Sequence, residues 1–313
     1  MKIDNRSEIL FLYDVKQANP NGDPMDANKP RMDEATGKAL VTDVRLKRTI
    51  RDYFIQLGYD GKSLGADKDV FIRDVDNRPV TGLERASAYS NQDDFLNKFI
   101  DGRLFGAVSA PGKDSGNDDD TAEDKKAKKV TKGSNPKVFH VTGPVQFGMG
   151  KSLHPVKMNF LKGTGAFATK EGADQRTFRE EYNISYGLIG FHGVVNENAA
   201  TFSKATLEDL DLLLQAMWDG TKDLLTRSKK GHMPRLLVHI EYSQKGFFIG
   251  DLLERLEIIP DENKKTDELE DIQDFNIATN KLNQVLKLHA DKILKVTVRM
   301  DDRVKLTEPI FTK

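Results

Sequence analysis

The first sustained pattern along the chain is the apolar run EILFLYDV, Glu8–Val15, with Ile9, Phe11, Tyr13 and Val15 on one side and Leu10 and Leu12 on the other. A period of two with both faces apolar predicts a central strand covered on both sides. A polar loop over Lys16–Leu40 follows, longer than a compact domain uses as a plain connection. In TDVRLKRTIRDYFIQLG, Leu46, Ile50, Tyr53 or Phe54, and Leu57 recur at helical spacing, with Thr42 or Asp43 placed to cap the start and Gly58 to end it. Further on, QDDFLNKFI reads as a helix and GRLFGAVSA (Gly102–Ala110) as a short buried strand.

From Val141, short apolar pieces alternate with Gly and Pro, which predicts hairpin structure, and YNISYGLIGFHGVV predicts further strand. Thr206 with Asp209 forms a candidate capping box ahead of a helix with core positions Leu207, Leu210, Leu214, Met217 and Leu224; Met217 and Trp218 are expected to pack there. RLLVHIEY aligns Leu236, Val238, Ile240 and Tyr242, with His239 a structural residue between them. A helix around Leu282–Leu288 and an alternating strand at Ile293–Met300 complete the order. Strand, helix, strands, helix, strand predicts an α+β fold with a βαββαβ core of RRM-like or ferredoxin-like type, enlarged by insertions.

Composition narrows the class. The 313 residues suffice for two domains, or for one with large insertions. There is no cysteine, so disulfides and thiolate metal sites are excluded, which fits a reducing cytoplasm. No apolar run is long enough for a membrane span, and the opening MKIDNRSEIL lacks the apolar core of a signal peptide. The net charge of −1 hides a strong asymmetry. Lys125–Lys170 holds ten lysines and no acid, whereas Asp251–Asp274 holds ten acidic and three basic residues. Pro111–Pro136 is too charged and too poor in apolar residues to fold alone, and is expected to be disordered or ordered only on binding.

Enzymatic motifs are sparse. GMGKS (Gly148–Ser152) ends like a P-loop, but Val145 stands where its first glycine belongs. HExxH is absent, and the six histidines lack ligand-like spacing. Asp23, Asp26 and Asp33 could hold a Mg²⁺ ion for phosphodiester cleavage, although turn formation by Asx residues is the simpler reading. A nucleic-acid inventory is better represented. The stripe on the first helix leaves Arg45, Lys47, Arg48 and Arg51 outside it, and the first three lie where the macrodipole disfavours cations. Such placement suits a phosphate, assisted by backbone N–H groups at the helix start. The turn NPNGDP, Asn19–Pro24, would form one wall of that groove, its glycine allowing close approach of backbone. Phe and Met between the lysines could stack on or wedge bases, while no RNP1-like aromatic pattern supports a sheet platform.

The block NRSEILFLYDVKQANPNGDPMDANKPRMDEATGKALVTDVRLKRTIRDYF, with RLFGAV, TGPVQFGMGKSLHPV, YGLIGFHGVV and the late RMDD, resembles the Cas-seven family, backbone subunits of type I CRISPR surveillance complexes (Cascade), most closely the type I-B form. The resemblance implies an RRM-like palm over residues 1–58 and 180–313 with a strand near 102–110. It also implies a helical finger insertion over 59–140 and a β-hairpin thumb within 141–179. It implies a non-catalytic protein without cofactor or metal, cytoplasmic, that polymerises along CRISPR RNA and presents the guide for pairing with target DNA in antiviral defence. Its expected partners are further copies of itself and the handle-end cap, large and small Cascade subunits. Carried onto matching positions, RNA contacts fall on Asn19, Asn21, Gly22, Thr42, Arg45, Lys47, Arg48, Arg51, Gln146, Lys151, Ser152, His154, Arg176 and Arg179. Met158, Phe160 and Phe167 become the thumb's base wedge. Related type III subunits cut target RNA with an aspartate of the same loop, near Asp26 here, so a metal-dependent target-RNA endonuclease is the alternative. The type III helix entry is replaced by TDVRLKR, which disfavours it.

Overall fold

The computed structural model describes residues 1–76, 78–86, 89, 91–109, 139–168 and 176–313; the side chains at 83, 109, 139, 164–168 and 176–179 are outside that description. Pro111–Pro136, the segment expected to be disordered, lies outside the described residues. The chain divides into two compact units. The larger comprises Asp4–Tyr53, Val145–Glu197 and Asp211–Lys313, and the smaller Met1–Ile3, Phe54–Pro144 and Asn198–Leu210.

In the larger unit the predicted first strand is β1, Ser7–Ala18, and every residue from Ser7 to Val15 is buried. Its two apolar faces are explained by its place in an antiparallel sheet. It pairs with β11 (Arg176–Val195) on one side and β12 (His232–Tyr242) on the other, and β15 (Ile293–Met300) adds to the outer edge of β12. On one face, Leu10, Leu12, Leu188, Leu236, Val238, Ile240 and Tyr242 join a core with Phe275, Leu282 and Leu286. Two of these come from α7, Asn280–Leu288, and one from the ribbon of β13 (Glu257–Pro260) and β14 (Phe275–Ala278). On the other face the rings of Phe11, Phe191 and His232 surround Tyr13 with centroids 5.7–6.3 Å away.

α1, Asp43–Gln56, and α6, Leu207–Lys222, are the two long helices among the described residues. Within the larger unit Gly220 brings them together, since a Cβ there would lie 2.9 Å from Tyr53 Cβ. α6 buries Leu213, Ala216, Met217 and Trp218; Leu213 takes the interior position expected of its neighbour Leu214. The predicted capping box forms, with Thr206 N donating to Asp209 Oδ2 at 3.0 Å and Asp209 N to Thr206 Oγ1 at 3.2 Å. Gly58, at φ +95°, ends α1 as its position implied.

β10, Met158–Ala168, pairs with β11 from Met158↔Ile184 to Ala168↔Arg176. The last pairing of β11 with β1 is Ala18↔Ile184. Past Ile184, β10 is thus the only strand partner of β11 among the described residues, and the two strands continue as a ribbon.

The smaller unit has an aromatic core in which Phe95 and Phe99 pack with Phe71 and Tyr89 at centroid distances of 4.8–6.0 Å. It contains α2 (Gly82–Ala86), α3 (Gln92–Lys98), α4 (Ile100–Phe105), most of α5 (Glu197–Ser203) and the hairpin of β6 (Gly106–Ser109) with β7 (Phe139–Thr142). Asp69 is its charged hub, accepting from Arg73 Nε at 2.6 Å and Arg85 Nη2 at 3.0 Å. The strand expected over Gly102–Ala110 starts only at Gly106. Before it the chain is helical, because Gly106 at φ +84° closes α4 and Arg103 bonds back to Leu96 O and across to Asp209. A short apolar run fits either state, and these non-local bonds decide it.

Candidate nucleic-acid interface

The turn after β1 is laced from within. Asn19 is 3% exposed; its N–H donates to Ser228 O at 2.9 Å and its Nδ2 to Asn28 O at 2.7 Å. Asn21 Oδ1 accepts from both Thr42 N (3.0 Å) and Thr42 Oγ1 (2.9 Å). Thr42 Oγ1 in turn caps α1 by accepting from Arg45 N at 3.3 Å. One asparagine therefore fastens the turn to the positive end of the helix. Gly22 opens β2 (Gly22–Asp23), which pairs with β3 (Lys29–Pro30); a Cβ at Gly22 would lie 2.0 Å from Asn28 Oδ1. Glycine is required there by the loop's own packing.

The three aspartates of the loop serve separate turns. Asp23 accepts from Arg31 Nη1 at 2.9 Å, Asp26 from Lys29 Nζ at 2.8 Å, and Asp33 from Thr36 Oγ1 at 2.6 Å. Asp33 lies in β4, Met32–Asp33, which pairs with β5, Lys38–Val41. Hydrogen bonds from Thr36 and Ala35 hold its carboxyl below the usual range. Among the described residues, no three His, Cys, Asp or Glu side chains gather as metal ligands.

The cations of α1 differ in access. Lys47 bonds Asp43 at 2.9 Å and Arg48 bonds Asp52 at 2.7 Å, both one turn apart on the helix. Arg48 keeps 55% of its side chain exposed, Lys47 14%, and Arg51 is buried. An exposed pair such as Arg48–Asp52 contributes only about 0.3–0.5 kcal/mol, so a phosphate would exchange it at little cost. Arg45 is half-buried and donates to Thr49 Oγ1 at 3.0 Å.

The QFGMGKSLHP residues separate. β9, Gly150–Ser152, pairs with β5 through Leu40↔Lys151, which sets exposed Lys151 two residues from Thr42 in register. β8, Val145–Phe147, sets exposed Gln146 opposite Val194, well along β11 from the turn. Ser152 and His154 face inward. Ser152 Oγ accepts from Ala39 N at 2.9 Å and donates to His154 O at 2.7 Å. His154 is 2% exposed, stacks on Tyr186 at 5.8 Å, lies 2.8 Å from Pro155 O through Nδ1 and accepts Leu188 N–H at Nε2 (3.3 Å). Burial pushes its pKa below the ordinary imidazole value, so the ring is neutral at pH 7.

The root of the β10/β11 ribbon lies beside the turn. Met158 and Phe160 are 38% and 44% exposed. Phe160 lies opposite Tyr182 with centroids 4.8 Å apart; Lys162 stands 5.5 Å over Phe160 and Lys29 5.4 Å over Tyr182. Aromatic faces flanked by two ammonium groups suit stacking on a base with its phosphate neutralised. The side chains of Phe167, Arg176 and Arg179 lie outside the described residues.

Residues 5–280 match the family model described as CRISPR-associated protein Cas7. The chain belongs to the Cas7 family. A protein of Haloferax volcanii named CRISPR-associated protein Cas7 is 33% identical over 317 residues, covering 96% of this chain and 88% of its own. The fold is also that of chains in two solved structures. One, a CRISPR RNA-guided surveillance complex in a pre-nicking state, has TM-score 0.51 at 12% identity, with 97% of this chain and 96% of that chain covered. The other, a CRISPR RNA-guided surveillance complex, has TM-score 0.52 at 11% identity, covering 97% and 95%. At such identity the likeness concerns the fold alone. In this Cas7 chain, sequence reading missed Tyr182, Lys29 and Lys229. The aromatic at Tyr182 was readable as the cross-strand partner of Phe160 once a hairpin was drawn, whereas Lys229 meets the turn only through the fold.

Proposed function

We propose that the chain is a non-catalytic, CRISPR RNA-binding backbone subunit of a type I surveillance complex, most like type I-B, that polymerises along the guide and presents it to target DNA. The observation that carries this reading is the junction of three features. Asn21 fastens the Asn19–Asp23 turn to the capped, cationic start of α1, and the exposed aromatic ribbon root stands beside them. Phosphates would run along the turn, Thr42, Arg45, Lys47, Arg48 and Lys151, with sequence-independent affinity. Met158 and Phe160 would part successive bases. An RRM-like palm is supported by the strand order β12-β1-β11-β10 with α1 after β1 and α6 between β11 and β12, the arrangement of a βαββαβ unit. The ribbon past Ile184 serves as thumb, and the smaller unit as fingers. Copies of the same chain and the capping, large and small subunits would be its partners in the cytoplasm.

Charge reversal tests the groove. Lys47→Glu with Arg48→Glu should weaken binding to unrelated RNA sequences equally, and lower the slope of affinity against salt by about one for each phosphate no longer held. Unchanged affinity would make α1 a solvated face. Guide-loaded complex incubated with complementary RNA and Mg²⁺ should give no periodic cleavage that Asp26→Ala abolishes.

A further inference from the structure

Behind the Asn19–Pro20 peptide lies a charge arrangement of which the proposed phosphate path along α1 includes only Arg45. The connection from α6 to β12 is bonded to the end of β1: Lys16 N donates to Gly231 O and Asn19 N to Ser228 O, each at 2.9 Å. From this connection Lys229 reaches under the turn, and its Nζ donates to Asn19 O and to Pro20 O, the latter at 3.1 Å. Arg45 comes from α1 and His232 from β12 to line a water-sized recess with Tyr13, Thr49 and Pro20, the last of these being the residue whose carbonyl Lys229 holds. Neither Lys229 nor Arg45 takes part in an ion pair among the described residues. Two buried polar atoms also lack hydrogen-bond partners there, Asn19 Oδ1 and His232 Nε2, the latter on a ring only 2% exposed.

Two partly buried cations without a carboxylate are costly unless an anion completes the site. Resting on the proposed RNA reading, we propose that Lys229 is a positioning residue of the guide-binding turn and, with Arg45, makes a two-cation seat for one backbone phosphate. Lys229 then acts twice: it fastens the two carbonyls that shape the turn, and it supplies charge to the phosphate that lies against it.

The charges that face Lys229 determine how this site answers pH. Burial, and then the Arg45 guanidinium, hold the Lys229 ammonium down to about 7. Burial, then Lys229 and Arg45, push His232 down to about 3, so it stays neutral and offers no compensation. Burial raises the Tyr13 hydroxyl against the pull of Arg45, so it too is neutral. Asp52 and Arg48, further along α1, act on Arg45 in opposite directions. A phosphate beside Lys229 favours its charged form and raises its pKa. Binding therefore takes up a proton above pH 7, and affinity falls as pH rises.

The test measures anisotropy of a fluorescein-labelled oligouridine on the full chain, at fixed ionic strength, for wild type, Lys229→Arg and Lys229→Gln. Between about pH 7 and about pH 8.5 the wild type should weaken by about fifteenfold, within the limit of about tenfold per pH unit set by one proton. Lys229→Arg, always charged, should bind with a nearly flat profile, and Lys229→Gln weakly with an equally flat one. A Lys229→Arg profile that matches the wild type, flat or sloping, overturns the proposal and leaves the RNA reading standing. No oligouridine binding at any pH by the wild type overturns both.

Discussion

The oxygen of one amide, Asn21 Oδ1, takes two protons from Thr42, and through that residue sets where the turn meets α1. Removing it leaves the Thr42 N–H and hydroxyl without their partner in a site that is 8% exposed at Asn21. Asn21→Ala should cost about 1–2 kcal/mol in urea unfolding, the range of a lost cap with an unsatisfied donor. Asn21→Asp keeps the acceptor and adds a charge that the helix dipole favours, so it should recover most of that loss. Equal losses in the two variants would mean that the amide's shape, and not its oxygen, holds the turn. The asparagines were legible as turn residues, and they were expected to offer hydrogen bonds to RNA. Instead their polar atoms are engaged chiefly with the loop, the connection before β12 and Thr42. Ser152 and His154 were expected from the family resemblance to contact RNA, yet both are buried. Local composition cannot distinguish a polar group that faces a ligand from one that satisfies a neighbouring strand.

At the scale of elements, periodicity succeeded where one face or both faces were continuously apolar. β1 and β12 were legible because Leu10, Leu12, Leu236, Val238, Ile240 and Tyr242 enter one core. The α4–β6 boundary was hidden because its deciding bonds, Arg103 with Asp209 above all, join residues 106 positions apart. The β10/β11 ribbon was legible as a hairpin. That it continues past the sheet was not, because this depends on where β1 stops pairing with β11. The distinction has a measurable consequence. Met158, Phe160, Leu161 and Lys162 are exposed, so the described start of the ribbon adds little buried surface to the core. Replacing residues 162–180 by a short Gly-Ser turn should change unfolding free energy by no more than about 1 kcal/mol, as for surface changes away from a core. The same deletion should enlarge the RNA stretch that ribonuclease digests in the complex, since bases and backbone under the ribbon lose cover. A large stability loss would assign the ribbon to the fold and not to the ligand.

Across the whole molecule, a net charge of −1 is compatible with the proposed RNA groove because opposite charges occupy different segments. Within Asp251–Asp274 several acids are already neutralised: Asp271 by Lys16 and Arg303, Asp274 by Lys264, and Asp261 by Lys305. The Lys16 and Arg303 contacts help to hold the Asp271 carboxyl at about 2, against the opposing effect of burial, so it is ionised throughout the physiological range. Glu268 and Glu270 remain exposed. A single copy on RNA gains nothing from exposed carboxylates, which repel the phosphates. Copies side by side gain if that segment faces the basic surface of a neighbour, because complementary fields set partner and register more than they set raw affinity. The two situations separate experimentally. Glu268→Lys with Glu270→Lys should leave binding to an RNA long enough for one copy unchanged or somewhat tighter. On longer RNA the same variant should lose cooperativity, with native mass spectra showing scattered occupancy in place of nearly filled strands. Cooperative filling by the double variant would make the acidic segment a solvated face, and would move the contacts between copies to surfaces where charge has no part.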